Sequence, residues 1–190
     1  MESTLAILVP EAEELVQPFR DRYDPSAKVG MPAHITLLYP FKSPDEIDEM
    51  VLDTLRNCFF RFLTFKFSLR TINQFAGETL YLVPEPELPF RELTLGIWGC
   101  YPETPPYRGR YSTVIPHLTV ADRLMGEQEL AEVALEFEQA YLDSHPPPNC
   151  AIRSCPFGDA LDRGSEMDVG RSEMFVDVYP NIISNQCTLF

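Results

Sequence analysis

The sequence predicts an α+β fold in which one αβ unit occurs twice, as two antiparallel sheets related by a pseudo-twofold axis. Strand and helix patterns alternate as strand, helix, strand, helix, strand, and this order then occurs again. Two similar tetrapeptides begin at His34 and His117, 83 positions apart, and a helix signal follows each after nine residues. Two half-covered sheets gain by burying their apolar faces. We therefore expect one domain over residues 1–190, with the first repeat at about 1–75 and the second at about 76–190.

The first repeat begins with an apolar strand at Leu5–Val9, followed by an amphipathic helix that Pro18 should kink or shorten. A second strand is predicted over Ala33–Tyr39. The capping box at Ser43–Glu46 predicts the start of the next helix. Alternating side chains over Phe65–Ile72 predict a half-buried strand. The inner face of the second helix is predicted to hold Ile47, Met50, Val51, Leu55 and Cys58.

The second repeat begins with a strand at Thr79–Val83 and a helix that opens at Leu88. A strand over Val114–Val120 and an amphipathic helix over Gly126–Leu142 follow. Closing strands are predicted at Cys150–Cys155 and Met174–Tyr179, separated by a loop that contains Gly158, Gly164 and Gly170. The predicted inner faces are Leu93, Ile97, Trp98 and Tyr101 in one helix and Leu130, Val133, Ala134, Phe137 and Tyr141 in the next.

Composition excludes several classes of protein. The net charge is −14, which repels polyphosphates and anionic membranes, so a protein that binds long duplex DNA is not expected. No apolar run approaches the roughly 18 residues of a membrane span. Five cysteines, an odd number, favour free thiols and a cytoplasmic location, and we expect a monomer. The tail from Cys187 has the outline of a prenylation signal, but it lacks a basic segment upstream, which favours an unmodified C-terminus.

Two of the three histidines occupy the same place in the repeat, as His34-Ile35-Thr36-Leu37 and His117-Leu118-Thr119-Val120. Alternate residues of a strand share a face, so each histidine lies beside a threonine. Such a triplet follows a given histidine by chance about once in a hundred times at ordinary residue usage. The duplicated pair therefore favours a functional cluster over two unrelated buried histidines.

These motifs resemble the 2H phosphoesterase superfamily, which includes bacterial 2′-5′ RNA ligases and cyclic phosphodiesterases and is named for two H-x-T-hydrophobic motifs. The segments HITLLYPF and PHLTVAD carry the resemblance, which spans nearly the whole chain. It implies a bilobal fold with a central cleft and chemistry on a phosphodiester that needs no metal or cofactor. The implied catalytic residues are His34 and His117, and the implied substrate-binding residues are Thr36 and Thr119. The substrate would be a nucleotide or a short RNA end.

The residue types suit this chemistry. Opening a 2′,3′-cyclic phosphate requires a base that takes a proton from water and an acid that protonates the departing ribose oxygen. Two histidines near neutrality can fill both roles, and threonine hydroxyls can donate hydrogen bonds to the phosphate oxygens. Run in reverse, the same pair would ligate. Which histidine is the base depends on the orientation of the substrate, and this stays open at the level of sequence.

Other readings compete with this one. A catalytically idle module that binds nucleotides or RNA ends is the main alternative, although binding alone does not require a matched acid and base. The sequence lacks both the serine-hydrolase elbow and the phosphate-binding loop of nucleotide kinases. His145 suits the end of a helix better than a catalytic role. Further candidates are Arg108 and Arg110 for phosphate and Tyr39, Phe41, Tyr107 and Tyr111 for base stacking.

Overall fold

The structure is a computed structural model that describes residues 2–144 and 149–152. Each strand-helix-strand-helix-strand series predicted from the sequence is present in these residues. The predicted strand at Met174–Tyr179 and the loop before it lie outside them. The elements are β1 (Leu5–Leu8), α1 (Pro10–Tyr23), β2 (His34–Leu38), α2 (Glu49–Phe59), β3 (Phe65–Phe75), β4 (Thr79–Glu85), α3 (Leu88–Cys100), β5 (Leu118–Ala121), α4 (Glu127–Asp143) and β6 (Asn149–Ile152).

The described strands form one antiparallel sheet in the order β1-β2-β5-β4-β3-β6. This corrects the prediction of two sheets, because β2 and β5 pair with each other and join the halves. An unpaired edge leaves a row of backbone groups without partners, and this pairing removes one such edge from each half. The pair that joins them is Ile35 with Leu118, residues 83 positions apart. A pseudo-twofold axis would pass through this pair; that axis and the boundary between repeats near residue 75 stay predictions.

Side chains on the two faces of the sheet have opposite environments. On one face a row of apolar residues across four strands is buried, and α1 packs on β5 while α3 packs on β2. Since neighbours along a strand point to opposite faces, the motif residues lie on the other face, where they are only partly buried. We call this second face the polar face. The buried row consists of Ile7, Ile35, Leu118 and Leu82, paired in that order across the sheet.

The start of α2 differs from the prediction. The capping box of Ser43 and Glu46 is present, but it caps a single 3₁₀ turn over Pro44–Glu46. The α-helix begins after Asp48, whose side chain accepts a hydrogen bond from the backbone N–H of Val51 at 2.9 Å. Because the helix restarts there, Met50 is 73% exposed instead of buried.

Four other boundaries or faces differ in smaller ways. Helix α1 runs through Pro18 without being shortened, since Phe19 and Arg20 beyond it are buried. Trp98, predicted to face inward, is 38% exposed. Strand β5 begins only at Leu118, because the preceding residues 112–117 form no ladder, and β3 extends beyond its predicted end. In the described ranges, no helix is long and apolar enough to cross a membrane.

Candidate active site

The antiparallel register of the two central strands brings the four motif residues together. Extending the observed pairing of β2 with β5 by one residue in each direction places His34 opposite Thr119 and Thr36 opposite His117. Directly opposed residues have Cβ atoms about 4.5–5.5 Å apart, and diagonal neighbours lie about 7–8 Å apart. The two histidines therefore lie on a diagonal of the polar face, with a threonine opposite each.

Both imidazole rings are held in the same way. The Nδ1 atom of His34 lies 2.8 Å from the carbonyl oxygen of Pro32, and Nδ1 of His117 lies 2.7 Å from the carbonyl oxygen of Ile115. A carbonyl oxygen only accepts, so Nδ1 must carry the hydrogen in each ring. The lone pair of each neutral ring is then on Nε2, the atom that can take a proton from a reacting group and return it.

The surroundings lower the pKa values of both rings. The pKa of His34 is lowered to about 4, chiefly by burial; the positive charge of Arg20 acts in the same direction, and the hydrogen bond to Pro32 acts against it. Burial also lowers the pKa of His117, where the hydrogen bond to Ile115 and the carboxylate of Asp122 act in the opposite direction. Both rings are thus mostly neutral at pH 7. A neutral imidazole is the form that serves as a general base.

Among the described residues, aromatic rings pack against His117 and not against His34. The Phe75 and His117 rings meet edge to face with centroids 5.1 Å apart, and the Tyr81 ring lies 5.3 Å from His117. Tyr81 is paired with Thr119 across β4 and β5, which places it beside the motif. The residue paired with Thr36 on the outer strand β1 is Ala6, so the position next to Thr36 on β1 holds no aromatic ring. Sequence reasoning did not identify Phe75 and Tyr81, because their proximity depends on the register of three strands.

The other sequence candidates lie in different environments. Phe41 is buried and packs edge to face on Tyr101, so it belongs to the core. Arg108 forms an ion pair with Glu2, and its backbone lies in the left-handed region at φ 58°. Arg110 and Tyr111 are exposed, and His145 lies outside the described residues.

Tyr107 and Tyr111 belong to a loop that contacts Tyr39, the residue that follows β2. The backbone N–H of Tyr107 donates to the carbonyl of Tyr39 at 2.6 Å, and the Tyr107 ring meets Tyr111 edge to face at 5.6 Å. The hydroxyl of Tyr39 donates to Glu2 at 3.2 Å. Tyr39 lies three residues beyond Thr36, or about 10 Å along a strand. The loop therefore lies beside the four motif residues and not among them.

Two histidines and two threonines thus lie together on the exposed side of an antiparallel sheet, and imidazole and hydroxyl groups are side chains that can transfer protons and donate hydrogen bonds. Within the residues that the structure describes, no group of three His, Cys, Asp or Glu side chains is placed to hold a metal ion. The sequence pattern of the 2′-5′ RNA ligase superfamily matches residues 8–152, and the chain belongs to this superfamily. This confirms the resemblance stated from the two motifs.

Comparison with solved structures gives a further similarity. The chain is similar to E. coli LigT, solved as a complex with 3′-AMP, with a TM-score of 0.48 and 17% sequence identity. The similarity covers 79% of this chain and 82% of that chain. No curated protein matches the sequence.

Proposed function

We propose that this protein is a metal-independent phosphodiesterase, or reversible ligase, acting on 2′,3′-cyclic or 2′-5′ phosphodiester bonds of nucleotides or short RNA ends. The observation that supports this most directly is the register of β2 and β5, in which each histidine faces a threonine. Membership of the 2′-5′ RNA ligase superfamily supports the same class of substrate. His34 and His117 are the proposed catalytic residues, and Thr36 and Thr119 are the proposed phosphate-binding residues.

In the hydrolytic direction one histidine acts as base and the other as acid. Nε2 of the base takes a proton from water as the water oxygen bonds to phosphorus. The bond from phosphorus to the departing ribose oxygen breaks, and Nε2 of the acid gives that oxygen its proton. The products are a ribose hydroxyl and a phosphomonoester. Hydroxyls of Thr36 and Thr119 donate to the non-bridging oxygens, where negative charge builds in the transition state.

The unequal surroundings favour one assignment of the two roles. His34, with its pKa of about 4, stays neutral over the physiological range, as a base must. The pKa of His117 is also lowered by burial, but the negative charge of Asp122 acts against this shift and favours the protonated form that an acid needs. We therefore assign His34 as the base and His117 as the acid in hydrolysis. The roles exchange in ligation.

Purified protein tested against three substrate classes decides the proposal. These are RNA ends with a 2′,3′-cyclic phosphate, cyclic phosphates of ADP-ribose and 2′-5′ oligoadenylates, each with EDTA present. We expect turnover of at least one class, and its loss in His34→Ala and His117→Ala. Activity that needs an added divalent metal, or that both variants retain, would overturn the proposal.

An idle binding module remains the alternative. It predicts that nucleotides bind and that no class is turned over. Equilibrium binding of the same ligands to the wild type and to the double variant His34→Ala/His117→Ala separates the two functions. Binding without turnover in the wild type would support the idle module.

A further inference from the structure

The three residues before His34 are held by hydrogen bonds to the scaffold at every backbone polar group except one. The N–H of Met31 donates to Ser26 O at 3.1 Å, and the N–H of Ala33 donates to the Glu13 carboxylate at 2.7 Å. The carbonyl of Ala33 accepts from the N–H of Val9 at 2.8 Å. Proline has no N–H. The remaining group of this segment, the carbonyl of Pro32, accepts from Nδ1 of His34.

The carbonyl of Met31 is held by an unusual partner, the fully buried Arg20 on α1. Its Nη2 donates to Met31 O at 2.8 Å and to Ser26 Oγ at 3.2 Å, and its Nε donates to Asp24 at 3.0 Å. Arg20 is 0% exposed, and its Nη1 has no hydrogen-bond partner among the described residues. Burying a charge raises the free energy of the folded state unless the charge is paired and hydrogen-bonded, so an arginine of an amphipathic helix normally lies at the surface. The burial of Arg20 therefore has to be explained by the contacts that its side chain makes.

We infer that Glu13 and Arg20 are positioning residues for His34, in that they fix residues 31–33 and thereby aim the Pro32 carbonyl at Nδ1. The inference rests on the proposed function, in which Nε2 of His34 takes a proton from water. If residues 31–33 shift, the hydrogen bond to Nδ1 weakens, the ring can turn, and the other tautomer becomes accessible. Neither side chain touches the substrate, so their effect falls on the rate of the chemical step and not on substrate binding.

The second motif supplies the contrast. Apart from His117 itself, no side chain among the described residues donates to or accepts from the backbone of residues 114–116, although the Ile115 carbonyl holds His117 in the same way. Within the described residues, bracing by side chains of a neighbouring helix is therefore found before His34 and not before His117. This difference makes a specific role for Glu13 and Arg20 testable within one molecule.

Substitution of Glu13 gives the cleanest test, because glutamine keeps an oxygen that accepts from the Ala33 N–H. We expect Glu13→Ala to lower kcat, by up to about 100-fold for a displaced reacting group, with KM unchanged. Glu13→Gln should retain wild-type kcat, and Glu14→Ala, on the exposed side of α1, should do the same. Imidazole ¹⁵N shifts should show a second tautomer of His34 in Glu13→Ala alone. Wild-type kcat and a single His34 tautomer in folded Glu13→Ala would overturn the inference.

Arg20 is tested through the tautomer of His34, measured by the same imidazole ¹⁵N shifts. The charged groups that act on this ring are Arg20 on α1, Asp24 just after α1 and His117 just before β5. Because Arg20→Met leaves a buried carboxylate unpaired, the double variant Arg20→Met/Asp24→Asn is made beside it. We expect a second His34 tautomer in both variants and none at His117. An unchanged His34 ring in the folded double variant would exclude a positioning role for Arg20. The NMR result stands whether or not the enzyme assay succeeds, so failure of the proposed function is recognised separately.

Discussion

The two halves of the site share one pattern but differ in what surrounds it. In both, Nδ1 donates to the carbonyl two residues earlier, so the tautomer is the same. Around His34 the backbone is braced by α1, and burial with nearby positive charge lowers the pKa to about 4. Around His117 the preceding residues lie outside the strand, and the ring meets Phe75 and Tyr81.

This difference shows how one motif used twice can supply two chemical roles. In both copies the hydrogen bond from Nδ1 to the carbonyl two residues earlier leaves Nε2 as the nitrogen with the lone pair. The residues around each ring set its protonation state, and these are not repeated. Pairs of titratable groups whose surroundings separate their pKa values are typical of acid-base sites.

Removing either imidazole should have the largest effect. We expect His34→Ala and His117→Ala each to lower turnover about 10²- to 10⁴-fold, with the double variant far less than multiplicatively worse. A substrate with a nitrophenol leaving group sharpens the comparison, because nitrophenolate departs without a proton. On this substrate, the turnover by His117→Ala should rise toward that of the wild type, and the turnover by His34→Ala should stay low. Recovery in His34→Ala instead would reverse the assigned roles.

The threonines should matter less than the histidines. Thr36→Ala and Thr119→Ala each remove one proposed donor to the phosphate, and we expect losses in kcat of about 10²-fold at most. Thr36→Ser and Thr119→Ser keep the hydroxyl and serve as matched controls. Thermal unfolding should change little in all four, since both side chains are only partly buried. A loss confined to the melting temperature would mean that these threonines serve the fold alone.

The pH dependence of kcat/KM tests whether the two rings titrate apart. The base must be neutral, so activity falls as pH drops through the His34 pKa of about 4. The acid must be protonated, so activity falls as pH rises through the His117 pKa, which lies below its ordinary 6.5. We expect a bell-shaped dependence of kcat/KM on pH. Its maximum should lie between the two pKa values, and kcat/KM should fall about tenfold per pH unit on each side. A plateau that extends above pH 8 would contradict the assignment of His117 as the acid.

The aromatic side chains around His117 should have the smallest effect. Phe75→Ala opens that side to water, which relieves the burial and moves the His117 pKa upward toward its ordinary value. The high-pH limb should therefore move up, while the low-pH limb set by His34 stays in place. Phe60→Ala, at an exposed ring at the end of α2, is the control. Movement of both limbs together would show that the two histidines do not have separate surroundings.

Local features of the fold were predictable from sequence because they depend on neighbouring residues. Periodicity located the strands around His34 and Thr79 and the last described helix, whose Leu130 and Val133 are buried as predicted. The motifs identified the four candidate site residues for the same reason, since strand parity already places each histidine beside its threonine. Met50 was misplaced because a capping box predicts a helical turn without saying whether the turn continues as a helix.

Features that depend on distant pairings were not predictable. Nothing near Ile35 or Leu118 indicates that their strands pair and merge the halves into one sheet. Arg20 in an amphipathic helix resembles any exposed arginine, and its burial follows only from the segment around Met31 folding over it. Phe75 reaches His117 because a third strand brings it there.

The pairing of Ile35 with Leu118 has a consequence for how the gene can change. Both side chains are 0% exposed, and each is the middle residue between a histidine and its threonine. A slip of one residue in a strand turns every side chain to the opposite face. One codon inserted or deleted inside either tetrapeptide would turn a histidine or a threonine into the core. Exchange of Ile35 for another large apolar residue would keep all four motif residues on the polar face. We therefore expect the apolar position of each motif to tolerate substitution and its length to stay fixed.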